Sequence, residues 1–262
     1  MGAPLFRFSR FVRARHRRSV AVLAAGLVVG SLMLSPASAQ QQMELHLVLA
    51  FDASASVNDV EFEIQRTGTA RALRHPSVLA AVEQADGGVA VSIIQWSSVS
   101  LQAVGLDWVT LRTSKEVRRF ADQVQAMPRK LSGGGTMVHT GLEFAARQLD
   151  AAPAAARRRV IDLSGNGRSD NLDKMLETRD QLVRDGVVIN ALAIEELNND
   201  LTSYFYRYLI GGAGAFVITA DEFEDFSDAM RIKLYREIRG DLSAKIQDDC
   251  PGQFRQVRQA SR

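Results

Sequence analysis

The stretch Leu45-His46-Leu47-Val48-Leu49-Ala50-Phe51-Asp52-Ala53-Ser54-Ala55-Ser56 (LHLVLAFDASAS) begins as an apolar run of strand length and stops abruptly at an acid, with a serine at each of the next two alternate positions. The run does not alternate apolar with polar, so both faces of this strand are expected to be covered, as in a sheet packed between two layers of helices. Ending such a strand in Asp-x-Ser-x-Ser projects one carboxylate and two hydroxyls from one side of a turning backbone. These are hard oxygen ligands, suited to Mg²⁺ or Mn²⁺ rather than Zn²⁺. Taken alone, the same pattern also fits a plain helix cap by Ser54 or Ser56.

Outward from this stretch, strand-like and helix-like segments take turns. Residues 60–73 have helical spacing through Phe62, Ile64, Ala70 and Leu73. Residues 88–96 read as a second buried strand, and 99–104 as its antiparallel hairpin partner after a two-residue turn at Ser97-Ser98. A helix opens at Ser114, places Val117, Phe120, Val124 and Met127 on one face, and is closed by Pro128. Then follow a helix at 138–149, a strand at 159–164, a helix at 172–184, a strand at 187–194, a short aromatic helix at 204–208, a strand at 215–219 and a helix at 221–238. This alternation predicts an α/β fold: a doubly wound, mostly parallel central sheet with one antiparallel edge strand and helices on both faces. In such sheets a ligand site lies beyond the carboxyl ends of the strands, where strand order reverses.

The first 39 residues stand apart. Six arginines and no acid precede a fifteen-residue apolar run (20–34), and Ala37-Ser38-Ala39 offers a small-residue cleavage site before Gln40. That is the plan of a signal peptide, and the apolar run is short of the ~20 residues that span a bilayer, so no stable membrane anchor is expected after cleavage. Arg17-Arg18 also fits a twin-arginine signal, although the bulky apolar residues usual after that pair are missing. The chain has 32 basic and 30 acidic residues; without the six leader arginines it has 26 against 30, so the basic balance belongs to the leader and does not suggest nucleic acid as a partner. The single cysteine, Cys250, allows no internal disulfide and lies far from the position a lipoprotein anchor requires. The reading is a signal peptide at 1–39, one domain at 40–240 and a polar C-terminal tail at 241–262, in a protein exported to the periplasm or secreted.

Two more loops bring oxygen ligands toward the same sheet edge. Ser132-Gly133-Gly134-Gly135-Thr136 precedes a helix, with no lysine after the glycines to make it a phosphate loop. Ile161-Asp162-Leu163-Ser164-Gly165-Asn166-Gly167 runs from a strand into a glycine-rich turn. With these loops the chain resembles a von Willebrand factor A-type domain carrying a metal-ion-dependent adhesion site. Asp52, Ser54 and Ser56 match the Asp-x-Ser-x-Ser motif, Thr136 the loop threonine, and Asn166-Gly167 the Asp-Gly element after the fourth strand. It is also similar to a family of exported bacterial A-domain proteins of unknown function, through IDLSGNG (161–167) and IGGAGAF (210–216). The resemblance implies a divalent cation, Mg²⁺ or Mn²⁺, held at Asp52, Ser54, Ser56, Thr136 and Asn166, with an open position for a carboxylate from a protein partner. It implies binding rather than turnover.

Asn166 departs from the pattern, since A-domains usually have aspartate there. The amide oxygen can still coordinate, but one negative charge is lost, which Asp170 could partly replace. A rival alignment takes Asp162 as the acid of the fourth strand. Two further readings stay open: a metal-assisted hydrolase, for which His139 is the histidine placed near the loops, and a structural subunit with a degenerate metal site. No catalytic residue is assigned. Ser164 lacks a nucleophile elbow, and His46 and His139 lack zinc-site spacing. Gly211, Gly212 and Gly214 precede a strand and suit a tight turn, and Tyr204, Phe205, Tyr206 and Tyr208 suit a helix packed on the sheet.

Overall fold

The computed structural model describes residues 42–195, 200–240 and 257–258. Residues 1–39, read above as a signal peptide, and the segment 241–262 with Cys250 apart from residues 257–258, lie outside the described residues. No helix among the described residues is long and apolar enough to cross a membrane.

Strand β1 (Met43–Asp52) lies in the interior of the sheet and is buried along almost its whole length. Its side chains alternate between two cores: Leu45, Leu47, Leu49 and Phe51 enter one, Val48 and Ala50 the other. That is why the run carries no polar alternation. It pairs in parallel with β2 (Val89–Trp96) on one side and with β4 (Ala156–Gly165) on the other. The sheet order is β3 (Gln102–Leu111), β2, β1, β4, β5 (Val187–Ile194), β6 (Phe216–Ala220), with β3 antiparallel at the edge and the other pairs parallel. Residues Val257–Arg258 extend the far edge as a short antiparallel strand, β7, on β6.

The chain leaves β1 for β2 and β3, then returns to lay β4 on the opposite side of β1. The loops after β1 and β4 therefore part from each other at the carboxyl ends of adjacent strands, the crevice in which open α/β sheets bind ligands.

Helices α1 (Asp59–Leu73), α2 (Pro76–Glu83), α3 (Ser114–Ala126) and α7 (Phe226–Arg239) cover one face through residues such as Phe62, Val78, Phe120 and Phe226. The other face is covered by α4 (Val138–Asp150), α5 (Leu172–Arg184), α6 (Leu201–Tyr204) and a π-helical turn at Phe205–Leu209, through Leu142, Met175, Leu201 and Phe205. Burying one such side chain contributes about 1.5–3 kcal/mol. The edge-on contact of Phe51 with Phe62, 6.4 Å between centroids, joins β1 directly to α1.

Three expectations change. The hairpin turn is five residues, Ser97 to Leu101, with Ser100 at φ 64°, and β3 runs on to Leu111 instead of occupying 99–104. Register shifts opposite Ile93 interrupt its alternation, which hid its length. Helix α2 was not foreseen; His75 caps it and Pro76 opens it. Finally, Asp162 points away from the turn, into the α7 face, where it meets Lys233 Nζ at 3.0 Å. Lys233 also holds Glu237 at 2.8 Å, and Asn190 Nδ2 donates to the same Glu237 oxygen at 3.0 Å. All four side chains are buried. Burial, then the nearby Glu237 carboxylate, pushes the Asp162 carboxyl well above the usual range despite Lys233.

Candidate metal site

Asp52 ends β1 and its side chain is fully buried. Oδ1 accepts the N–H of Ser54 at 2.8 Å, a tight turn that folds the chain back at once. Oδ2 is buried with no hydrogen-bond partner. The Ser54 and Ser56 hydroxyls lie 3.1 Å apart, and Ser56 Oγ donates to Asn166 Oδ1 at 2.7 Å. Asn166 Nδ2 donates to the Ser56 carbonyl at 3.1 Å, and since only the amide nitrogen can donate there, the orientation of the Asn166 side chain follows. Asp52, Ser54, Ser56 and Asn166 thus meet at the β1/β4 switch point.

Neither serine caps α1. Asn58 does, accepting from the N–H groups of Val60 and Glu61 at 2.9 and 3.0 Å, while Glu61 accepts the Asn58 N–H at 2.7 Å. This reciprocal box leaves the serine hydroxyls to one another and to Asn166.

The glycine loop is fastened from two sides. Ser97 Oγ is 2.6 Å from the Gly133 carbonyl and 3.1 Å from that of Gly135, and the Gly135 N–H donates to Ser98 Oγ at 2.5 Å. The Ala55 N–H donates to the Gly134 carbonyl at 3.0 Å, tying this loop to the one after β1. Gly134 has φ +89°, and a Cβ there would meet both serine hydroxyls at 2.6 Å, so the position requires glycine.

Thr136 is clasped to the loop after β4: its N–H donates to Asp170 Oδ2 at 2.7 Å, and the Asp170 N–H donates to its carbonyl at 3.0 Å. Asp170 is therefore engaged by backbone rather than by the serine hydroxyls. A Cβ on Gly167 would lie 3.5 Å from Thr136 Oγ1 and 4.0 Å from Ser56 Oγ; one on Gly165 would lie 3.1 Å from Asp52 Oδ2. The glycines on either side of Asn166 keep these oxygens unobstructed.

Burial raises the Asp52 pKa to about 6, opposed by the Ser54 hydroxyl and amide, the Asn166 backbone and Arg129. Behind it, Gln65 Nε2 donates to the Asp52 carbonyl at 3.2 Å and Ser164 Oγ donates to Gln65 Oε1 at 3.2 Å. Gln65 sits in the buried stripe of α1 between Phe62 and Thr69, a polar residue among apolar ones that the sequence could have flagged. Ser97, Ser98 and Arg129 carried no comparable signal. His139 takes part in none of these hydrogen bonds, and His46 packs on Trp108, 5.4 Å between ring centres.

Among the described residues there is no group of three or more His, Cys, Asp and Glu side chains placed to hold a metal. The donors gathered here are one carboxylate plus hydroxyl and amide oxygens. A buried carboxylate oxygen without a partner is unfavourable unless something positive meets it, so this donor set fits a hard divalent cation.

A family model described as "Protein of unknown function (DUF1194)" matches residues 42–242. None of the curated proteins matches. Among solved structures, the pilus adhesin SpaC from Lactobacillus rhamnosus GG aligns at TM-score 0.56 and 14% identity, over 76% of this chain and 32% of that one. Proximal thread matrix protein 1 (PTMP1) from the mussel byssus, in a form with a zinc-occupied MIDAS motif, aligns at 0.54 and 16%, over 74% and 48%. The vWF domain of the type V pili tip protein Mfa5 from Porphyromonas gingivalis aligns at 0.53 and 9%, over 74% and 94%. The chain spans a third to a half of the length of the first two. At these identities the likeness is one of fold, and the fold is that of a von Willebrand A domain.

Proposed function

Since the chain belongs to the DUF1194 family, a family of proteins of unknown function, and has the von Willebrand A fold, we propose that it is an exported, divalent-cation-dependent protein-binding module and not an enzyme. The observation that carries this reading is the meeting of Asp52, Ser54, Ser56 and Asn166 at the switch point, with Thr136 facing them across Gly167 and one Asp52 oxygen buried without a partner. Asp52, Ser54, Ser56, Thr136 and Asn166 would hold Mg²⁺ or Mn²⁺. The ion supplies positive charge that attracts an anionic group, and the partner is a protein presenting a carboxylate.

The chain's own residues prepare the site. Asn166 fixes Ser56 by its fork of two hydrogen bonds, Asp170 fixes Thr136, and the Gln65–Ser164 pair fixes the end of β1. The arginine-rich leader with its small-residue cleavage site supports export. The adhesin and pilus-tip titles of two structural neighbours are in keeping with a protein-binding role, and the zinc-occupied motif of a third with a cation. Binding is preferred to hydrolysis because His139 shares no hydrogen bond with the site and the Asp170 carboxylate is taken up by the Thr136 N–H.

The test is isothermal calorimetry with Mg²⁺ and Mn²⁺ on purified protein, followed by pull-downs from the exported fraction with divalent metal or chelator. Saturable millimolar-or-tighter binding, lost in Asp52→Ala, and metal-dependent capture of a partner are expected. No ion binding by the parent would overturn the metal reading and leave the degenerate-site alternative.

A further inference from the structure

The segment between α3 and the glycine loop carries an arginine whose side chain is only 14% exposed. Its backbone is anchored on both sides by one strand residue: Gln95, fully buried in β2, donates from Nε2 to the Pro128 carbonyl at 2.8 Å and accepts the Lys130 N–H at 2.7 Å. From this fixed base the guanidinium of Arg129 reaches across to the loop after β1. Nη2 donates to the Val57 carbonyl at 2.8 Å and to the Ala53 carbonyl at 3.3 Å, Nη1 to Asp59 Oδ1 at 2.9 Å, and Nε to the Leu131 carbonyl at 2.8 Å. The guanidinium carbon lies 5.3 Å from the centre of the Phe62 ring.

Ala53 and Val57 bracket Ser54 and Ser56. We infer that Arg129 is a positioning residue, whose planar fork holds the 53–57 loop in the curl that brings both serine hydroxyls to Asn166, with or without an ion. This rests on the metal-site reading above only for its consequence, the metal affinity; the hold on the loop stands by itself. Two effects of Arg129 on a cation oppose each other. Its fixed charge repels, and its hold on the loop keeps the ligands in place. Asp59 pairs with that charge from the solvent side and weakens the repulsion. The two bracketing carbonyls have no such substitute, so the hold dominates. A lysine would keep the charge but could not reproduce a planar fork across two carbonyls.

The experiment compares parent, Arg129→Lys and Arg129→Met in the full chain by amide hydrogen exchange and by Mn²⁺ titration. The reporter amides are Ser54, bonded to Asp52; Ala55, bonded to Gly134; and Val57, bonded to the Ser54 carbonyl. Val48 in β1 reports the core. Both variants should exchange the loop amides about tenfold faster than the parent, the effect of losing charge-assisted hydrogen bonds, with Val48 following global stability alone. Mn²⁺ affinity should fall about tenfold in both. Parent-like loop exchange in Arg129→Lys would overturn the inference, since charge without the fork would then suffice. Tighter Mn²⁺ binding in Arg129→Met with unchanged exchange would likewise reduce Arg129 to a repelling charge. If the parent binds no Mn²⁺ yet the variants exchange faster, the hold on the loop stands and the metal reading falls. If Arg129→Met does not fold, Arg129→Lys decides alone.

Discussion

Asn166→Asp restores the acid usual in A-domains, and the structure gives it two effects of opposite sign. Without metal, Asn166 donates to the Ser56 carbonyl at 3.1 Å and accepts the Ser56 hydroxyl at 2.7 Å. Aspartate keeps the acceptor and loses the donor, so a carboxylate oxygen faces a carbonyl oxygen at a fully buried position. Leaving a buried polar group unpaired costs about 1–3 kcal/mol. The new charge also joins that of Asp52, whose Oδ2 has no partner. Two unit charges ~4 Å apart at an effective dielectric near 20 interact by ~4 kcal/mol, a ceiling that protonation of either carboxyl relieves. The metal-free variant should therefore melt several degrees below the parent, at roughly 2–4 °C per kcal/mol for a domain of this size. With metal the sign reverses. Even a quarter of that Coulomb energy, gained as attraction to the ion, tightens binding about fivefold. Scanning calorimetry in chelator and in saturating Mn²⁺, with a Mn²⁺ titration of each protein, gives both numbers. The melting gap should narrow as Mn²⁺ is added, while a carboxylate-bearing partner binds the better-neutralised ion more weakly. Identical melting in chelator would refute the Asn166–Ser56 fork, and identical Mn²⁺ affinities would remove residue 166 from the site.

Three further outcomes follow from named contacts. A carboxyl whose folded pKa is raised contributes stability that is present below its unfolded value and lost as pH climbs through the folded one; for Asp52 the window is 3.8 to about 6, ~3 kcal/mol in all. Asp52→Asn should thus be more stable than the metal-free parent at pH 7.5 by up to that amount, no more stable near pH 4, and indifferent to Mn²⁺, as urea titrations at the two pH values will report. Lys233→Met leaves the buried Asp162 and Glu237 carboxyls facing each other without their cation. It should lose about 3–5 kcal/mol at neutral pH and less at pH 5, where a proton can stand in, measured by the same titrations. Asn58→Ala removes the side-chain half of the α1 capping box, leaving the backbone N–H of residue 58 to Glu61, and should cost about 1 kcal/mol in thermal unfolding; no loss would mean that Ser54 or Ser56 takes over the cap.

The parallel strands were legible because a sheet covered on both faces writes itself as uninterrupted apolar runs, as Leu45 to Phe51 does. Four of the five candidate ligands, Asp52, Ser54, Ser56 and Asn166, could be read as neighbours because each lies at or just past a strand end, and strand ends meet wherever the sheet order brings them. What was hidden depends on contacts distant in sequence. Asp162 lies 71 positions from Lys233, and nothing around either residue announces the other. Arg129 lies more than 70 positions from the carbonyls it holds, one arginine among many. The edge strand was read short because Gly105 and Asp107 break its pattern where the register shifts, and α2 was missed because its eight residues, opened by a proline and followed closely by Gly87 and Gly88, look like a continuation of the loop.

The edge strand β3 also bears on how copies of this protein can meet. An open sheet border exposes a row of unpaired backbone groups, a template on which a second chain can add a strand and grow into a fibre. Here the border is blunted. Lys130 Nζ donates to the Val104 carbonyl at 2.7 Å, the Trp108 N–H is taken by its neighbour Asp107 at 2.7 Å, and Glu116 accepts the Arg112 N–H at 2.8 Å. The irregular register twists what is left away from a straight ladder. On the opposite border Val257–Arg258 occupies the outer side of β6 at Phe216 and Val217. With its backbone groups engaged in this way, β3 is a poor template for strand addition by a second copy even at high local concentration.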